Sequence, residues 1–157
     1  MDTKVKLYFE RAENKLILAN ANFSLSIDNK IKQQLGINSE RTFFNDVISD
    51  AYYSIFFAAK SYLANKSIFI FAPEEHRKTY EEFKKFVDNG KLDKELLQIY
   101  DDAVSKAEEL LKIFFREKDK RGRFTYRINS NANIPFAKES LNNAKKFVSS
   151  VRGLIKI

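Results

Sequence analysis

Residues 49–63 read SDAYYSIFFAAKSYL, and the six residues 52–57 include four aromatic side chains. These aromatic residues are Tyr52, Tyr53, Phe56 and Phe57. A membrane span, a surface on which bases stack, or the inside of a helical core would each explain them. Asp50 and Lys60 bracket the uncharged run 51–59, which is far shorter than the roughly 20 apolar residues that cross a bilayer. This length excludes a membrane span here.

The composition predicts one globular helical domain over residues 1–157. Hydrophobic residues make up 44% of the chain and charged residues 31%, which is typical of a globular protein. Only 4 Gly and 2 Pro are present, which favours long helices over many short strands. There is no cysteine, so disulfides, thiolate nucleophiles and Cys-based zinc sites are excluded. The charged N-terminus lacks an apolar signal core, and we expect a cytoplasmic protein.

Five segments have apolar residues at the 3.6-residue period of an amphipathic helix. They cover about residues 3–27, 42–64, 73–88, 93–117 and 133–155. Short connections between long helices predict an all-α, antiparallel up-and-down bundle of four to five helices. We expect Ser39 or Thr42 to cap the second helix and Pro73 to lie in the first turn of the third. Gly90 should end the third helix, and Asp93 should be the N-cap of the fourth.

The connection between the second and third helices contains the apolar sequence SIFIF at residues 67–71. This alternation of β-branched and aromatic residues is compatible with a strand. In a chain with so many helices, an apolar loop packed against the core is the favoured interpretation.

Apolar groups surround most of the second predicted helix, because its aromatic residues lie on neighbouring stripes beside Ile55 and Ala59. A helix of this kind is buried centrally or shared with a second subunit. A base-stacking surface needs cations beside exposed rings, and within this stretch only Lys60 supplies one. We therefore interpret Tyr52, Tyr53, Phe56 and Phe57 as core or dimer-interface residues.

His76 is the only histidine, and it shares a predicted helix face with Tyr80, Phe83 and Val87. A single histidine on such a face is more often structural than a general acid or base. One histidine without cysteine would need several carboxylates around it to hold a metal ion. The pairs of adjacent acidic residues do not supply them, because the two side chains of each pair point in different directions from the helix. No glycine-rich phosphate loop is present. The sequence predicts neither a metal nor a cofactor.

Basic residues concentrate towards the C-terminus. Residues 112–157 contain twelve Lys or Arg and three Asp or Glu, a net charge of +9, whereas the whole chain has +7. The candidate binding residues lie in a polar stretch without a helical stripe, and they are Lys118, Lys120, Arg121, Arg123, Tyr126 and Arg127. Guanidinium groups beside a tyrosine ring suit phosphate binding and base stacking. A solvated loop is the alternative.

Four stretches, in order, resemble the HEPN domain (higher eukaryotes and prokaryotes nucleotide-binding), in particular its small stand-alone prokaryotic branch. They are SDAYYSIFFAAKSYLA, EEHRKTYEEFKKFVDNGKL, RGRFTYRI and IPFAKESLNNAKKFVSSV. The positions that match the family pattern are Ala51, Tyr52, Tyr53, Phe56, Ala58, Ala59, Leu63, His76, Phe83, Val87, Gly90, Arg121, Phe124, Thr125, Tyr126, Ala137, Ala144, Phe147 and Val148. The resemblance covers about residues 5–155.

The resemblance implies a helical bundle, a homodimer and a minimal nucleotidyltransferase as partner in a toxin–antitoxin-like system. Many members of the family are metal-independent ribonucleases with an arginine shortly before a histidine. No arginine has that spacing before His76, and Asp50 and Thr125 replace two residues of the family pattern. We therefore expect a nucleotide-binding, RNA-binding or partner-binding module without catalysis. The alternatives are a ribonuclease that uses His76, Arg121 and Tyr126, and a structural helical adaptor.

Overall fold

The computed structural model describes residues 1–119 and 134–157, and for residues 111–119 it describes only the helical backbone. These described residues form six helices and no strand. The helices are α1 (Thr3–Ile27), α2 (Asn29–Gln34), α3 (Phe44–Asn65), α4 (Glu75–Asp88), α5 (Lys94–Asp119) and α6 (Ile134–Ile155). The predicted all-α bundle is confirmed. None of these helices is long and apolar enough to cross a membrane within the described ranges.

The central helix is α3, which contacts α1, α4, α5 and α6. Side chains on several of its faces are almost fully buried, among them Ile55, Ala58 and Leu63. The aromatic-rich sequence that makes α3 apolar nearly all round therefore corresponds to a helix with neighbours on several sides.

Helix α1 packs along α3, and small side chains lie where the two helices meet. The buried hydroxyls of Ser54 and Ser61 donate hydrogen bonds to the backbone carbonyls of Ala12 (2.9 Å) and Val5 (2.8 Å). The later residue of α3, Ser61, bonds to the earlier residue of α1, Val5. The two helices are therefore antiparallel. These hydrogen bonds satisfy two polar groups that burial would otherwise leave without partners.

Aromatic residues from three other helices close the core around α3. Phe83 of α4, Tyr100 of α5 and Phe147 of α6 are fully buried, and their ring centroids lie 5.4 to 5.9 Å apart. Tilted and edge-to-face ring pairs at such distances stabilise a core beyond the burial of their area alone. The positions of α4, α5 and α6 around α3 are fixed in this way.

The second long helix begins at Phe44, close to the predicted start, but its predicted cap is wrong. Neither Ser39 nor Thr42 caps α3, because its N-cap is Phe43, which offers no side-chain hydrogen bond. The backbone N–H of Phe43 instead donates to the hydroxyl of Ser26, at 2.7 Å. A tertiary contact from α1 has replaced the local cap that the sequence suggested.

The predicted start of the third long helix is also wrong, since Pro73 lies outside α4. Glu74 separates Pro73 from the helix and has a left-handed backbone, with φ of 57°. A residue in that conformation cannot be part of a right-handed helical turn. The helix therefore begins at Glu75.

Two other predicted helix ends are confirmed. Gly90 has φ of 73° directly after α4, and its N–H donates to the carbonyl of Val87 at 2.9 Å. The side chain of Asp93 accepts a hydrogen bond from the N–H of Glu95, at 3.0 Å, at the start of α5. Helix α2 was not predicted, and Asp28 caps its first turn with the same geometry.

Candidate nucleic-acid interface

The four aromatic residues of α3 divide between the core and the surface. Phe56 is buried, with 2% of its area exposed. Tyr52, Tyr53 and Phe57 are half-buried. Tyr53 and Phe57 lie one helical turn apart, with ring centroids 6.4 Å from each other. Two neighbouring rings on the outer side of the central helix thus remain partly accessible.

Helix α1 supplies cations to both of these rings. The Lys15 ammonium lies 5.4 Å from the Tyr53 centroid, and the Arg11 guanidinium carbon lies 5.6 Å from the Phe57 centroid. Lys15 also forms an ion pair of 3.0 Å with Asp50. Cations at such distances from a ring face are attracted by its quadrupole. Both residues lie about 40 positions before the aromatic stretch in the chain, so the cations within that stretch gave no indication of them.

His76 forms the other side of this surface, at the start of α4. Its ring stacks on Phe56 with a centroid distance of 4.0 Å and an interplanar angle of 12°. It meets Tyr53 edge-on, at 5.7 Å and 81°. His76 as a residue is nevertheless exposed, although Phe56 covers one face of its ring, whereas Phe83 on the same helix is fully buried. The predicted apolar face of α4 therefore lies in the core at Phe83 but outside it at the N-terminal end of the helix.

The imidazole of His76 is oriented by a hydrogen bond between its Nδ1 and the hydroxyl of Tyr52, at 2.7 Å. Burial raises the pKa of Tyr52 to about 12, with the neighbouring Tyr53 and Glu108 adding to the effect, so this hydroxyl keeps its proton at neutral pH. Burial also lowers the pKa of His76, the Glu75 carboxylate raises it, and Lys60 lowers it. The other ring nitrogen of the neutral imidazole, Nε2, has no hydrogen-bond partner within residues 1–110 and 134–157.

An ion pair below the surface holds α4 against α3. Lys60 is 5% exposed and forms an ion pair with Glu75. Its ammonium also lies 4.4 Å from the ring centroid of Tyr8 and 5.7 Å from that of Phe56. The Glu75 side chain is 31% exposed, but loss of the pair would leave the charge of the buried Lys60 without compensation. This pair therefore fixes the first turn of α4, and with it the position of His76.

We call the surface formed by Arg11, Lys15, Tyr53, Phe57 and His76 the aromatic groove. Helix α3 forms its floor, while α1 and α4 form its two sides. The combination of half-exposed rings with cations and an oriented imidazole can contact a planar group and an anion at the same time.

A second polar cluster lies on the α5 side of α4. The Tyr80 hydroxyl donates to the Asp101 carboxylate, and the ring centroids of Tyr80 and Tyr100 are 5.2 Å apart. The Tyr100 hydroxyl is fully buried and has no hydrogen-bond partner among the described residues. Burial raises its pKa well above the usual value, so it remains a neutral hydroxyl.

The basic candidate residues Lys120, Arg121, Arg123, Tyr126 and Arg127 lie outside the described residues. Lys118 belongs to the part of α5 for which only the backbone is described. Of the residues proposed for a ribonuclease, the structure therefore places His76 alone.

No group of three or more histidine, aspartate and glutamate side chains in residues 1–110 and 134–157 is arranged to hold a metal ion. Comparisons of the chain with models of known protein families and with curated proteins gave no match.

Proposed function

We propose that the protein is a nucleotide- or RNA-binding module that holds its ligand in the aromatic groove. The observation that carries this proposal is the position of Arg11 and Lys15 over the half-exposed rings of Phe57 and Tyr53. Proteins that bind single-stranded nucleic acid without sequence preference combine these same two elements, stacking rings and backbone-binding cations.

Each part of the groove has a role in this proposal. A base stacks against Tyr53 or Phe57, and the neighbouring cation turns to the phosphate that follows it. Arg11 offers a planar fork of donors that matches phosphate oxygens, whereas Lys15 acts as a point charge. His76 contributes its Nε2, which remains free beside the hydrogen bond to Tyr52. The basic residues of the stretch 120–127, which lie outside the described residues, are the candidates for further phosphate contacts.

The test is a fluorescence-anisotropy titration with a labelled single-stranded RNA of about eight nucleotides. We expect the Arg11→Gln, Lys15→Gln double variant to bind at least tenfold more weakly than the parent. The matched control is Lys30→Gln, Lys145→Gln, which removes the same charge from two exposed lysines on α2 and α6. Equal losses in both double variants would mean a diffuse charge effect, and unchanged binding in the groove variant would overturn the proposal.

The resemblance to the HEPN family adds two partners to the proposal, a second copy of the chain and a minimal nucleotidyltransferase. A dimer would cover the accessible parts of Tyr53 and Phe57, so self-association and stacking of a base would compete for these two rings. Light scattering should then give about twice the monomer mass of 18.3 kDa, and Phe57→Glu should return the protein to the monomer. A monomeric parent at micromolar concentration would contradict the homodimer.

A metal-independent ribonuclease is the second candidate function, and the hydrogen bond between Tyr52 and His76 supports it. If Nδ1–H donates to the tyrosine oxygen, Nε2 has a free lone pair and can accept the proton of a ribose 2′-hydroxyl. The 2′-oxygen then attacks the adjacent phosphorus, and the 5′-oxygen leaves with a proton from another acid, for which Tyr126 is the candidate. RNA cleavage in EDTA that His76→Ala abolishes would establish this function in place of binding alone.

A further inference from the structure

The segment Ile68–Phe71, within the connection from α3 to α4, has the alternating burial of a β-strand, although it pairs with no strand among the described residues. Ile70 is buried, with 7% exposure, and Ile68 is half-buried against the core. Phe69 and Phe71 point outwards and are 36% and 58% exposed. Two large aromatic side chains therefore lie next to each other on the surface, on the same side of the segment.

The backbone of this segment has free hydrogen-bonding groups. Helix α3 ends in a Schellman motif, with Ser67 at φ of 60° and the Ile68 N–H donating to the carbonyl of Leu63 at 2.9 Å. Beyond Ile68, the backbone of residues 69–73 forms no hydrogen bond with the backbone of residues 1–119 or 134–157. Pro73 ends the segment, because it has no N–H to offer. The backbone N–H and C=O groups of residues 69–72 are therefore available for pairing, as on the edge strand of a sheet.

One lysine, Lys4, lies over both exposed rings, and a second, Lys66, precedes the segment by two residues in the chain. The Lys4 ammonium lies 4.9 Å from the Phe69 centroid and 5.0 Å from the Phe71 centroid. Lys66 lies over the ring of Tyr62, at 5.6 Å. Neither lysine forms an ion pair within the described part of the chain. The edge therefore combines free backbone groups, exposed aromatic rings and unpaired positive charge.

We propose that Phe69–Phe71 is a docking edge for an extended, acidic segment of a partner protein, which binds by strand addition. The backbone of the partner pairs with the free N–H and C=O groups, as in other complexes formed by strand addition. Its apolar side chains contact Phe69 and Phe71, and its carboxylates meet Lys4 and Lys66. This surface is distinct from the aromatic groove, and the proposal does not depend on RNA binding.

Charge distinguishes the acidic partner from a second copy of this chain. Pairing of two identical edges about a twofold axis would bring Lys4 and Lys66 of both copies together. Like charges at such an interface oppose association. An acidic segment instead supplies the carboxylates that these lysines lack.

The probe for a test is a fluorescein-labelled peptide of about eight residues in which glutamate alternates with valine. Fluorescence anisotropy should show binding to the parent protein, and the Phe69→Ser, Phe71→Ser double variant should bind at least tenfold more weakly. Lys4→Gln, Lys66→Gln should weaken binding in the same direction, whereas Lys30→Gln, Lys145→Gln should not. Because both phenylalanines are exposed, the double variant should keep the circular dichroism spectrum of the parent and its RNA binding.

Two modified peptides test the mode of binding. A peptide that is N-methylated at every second residue, on the edge that pairs, should lose binding. A peptide with lysine in place of glutamate should also bind at least tenfold more weakly. Equal binding of either modified peptide overturns the proposal, as does the absence of binding by the original peptide.

Other occupants of the edge would give different results. A dimer of the parent in light scattering that Phe69→Ser, Phe71→Ser dissociates would assign the edge to a second copy. Sedimentation of the parent with phosphatidylserine vesicles, lost in the same variant, would assign it to a lipid surface. Either result would overturn the acidic peptide as the partner.

Discussion

Phe56 and Phe57 are adjacent in the chain, but their side chains occupy different environments. Phe56 is 2% exposed and stacks against His76, whereas Phe57 is half-buried beside Arg11. We expect Phe56→Ala to lower the free energy of unfolding by about 3 to 5 kcal/mol, because it removes a large core side chain and leaves a cavity. Urea denaturation measures this loss.

Phe57→Ala is the matched control for this change, since the same atoms are removed one residue further along α3. We expect a loss of roughly 1 to 2 kcal/mol, because only part of the ring is withdrawn from water. Equal losses for the two variants would contradict the division between core and groove.

His76 should make stability depend on pH. Its pKa in the folded protein is lowered from 6.5, first by burial and also by Lys60, with Glu75 opposing. The unfolded chain therefore binds a proton at a higher pH than the folded protein does. As pH falls through 6.5, protonation favours the unfolded chain, so the free energy of unfolding should decrease. The stability that the neutral His76 imidazole contributes is therefore fully present above pH 6.5.

The measurement is the difference in unfolding free energy between the parent and His76→Gln, followed from pH 8 to pH 5. Carboxylates titrate in both proteins, so the difference isolates the imidazole. We expect the parent to lose stability relative to the variant on acidification. The opposite sign would show that Glu75 dominates and that the folded-state pKa is raised.

At the scale of the element, local signals predict the helix ends that depend on local chemistry. Gly90 and Asp93 act within one turn of their helices, and their roles are confirmed. The starts of α3 and α4 depend on Ser26 and on the left-handed Glu74. A hydroxyl from another helix and a single backbone angle leave no periodic pattern in the sequence, so the cap of α3 and the place of Pro73 in α4 were predicted wrongly.

The C-terminal end of α3 provides a prediction of its own. Ser67 occupies the left-handed position of the Schellman motif, with φ of 60°, where a side chain is strained and glycine is favoured. We expect Ser67→Gly to raise the free energy of unfolding by roughly 0.5 to 1 kcal/mol, since the relief of strain exceeds the entropy cost of glycine. The denaturation midpoint should rise without a change in its slope.

The control is Asn65→Gly, two residues earlier at the exposed last position of α3. The backbone there is helical, so glycine should destabilise the protein. A loss of stability in Ser67→Gly would mean that the serine side chain contributes more than its strain costs.

At the scale of the molecule, the apolar pattern was sufficient to predict an all-helical bundle, while the groove emerged only from the packing of α1 against α3. Arg11 and Lys15 are ordinary surface residues in the sequence, and their relation to Tyr53 and Phe57 depends on the distance and direction of two helices. The small residues that set this distance, such as Ser54 and Ser61, are a readable signal. Their partners on α1 could not be identified without the fold.

The charge of the molecule leads to the last prediction. Residues 112–157 have a net charge of +9, so the remainder of the chain has −2. If RNA neutralises these cations, its affinity should fall steeply with salt, because each phosphate contact releases counterions. For single strands the logarithm of the binding constant changes by about 0.7 per contact for each tenfold change in salt. Changing Arg121, Arg123 and Arg127 to Ala should therefore flatten that slope by about 2.

Filter-binding titrations at several salt concentrations measure the two slopes. The control changes Lys30, Lys94 and Lys145 to Ala, which removes the same charge from exposed positions elsewhere, and should leave the slope near that of the parent. Loss of slope in both variants would indicate attraction by the net charge of the molecule rather than contacts by the basic stretch. An unchanged slope in the arginine variant would restrict the phosphate contacts to other cations, with Arg11 and Lys15 of the groove as the first to test.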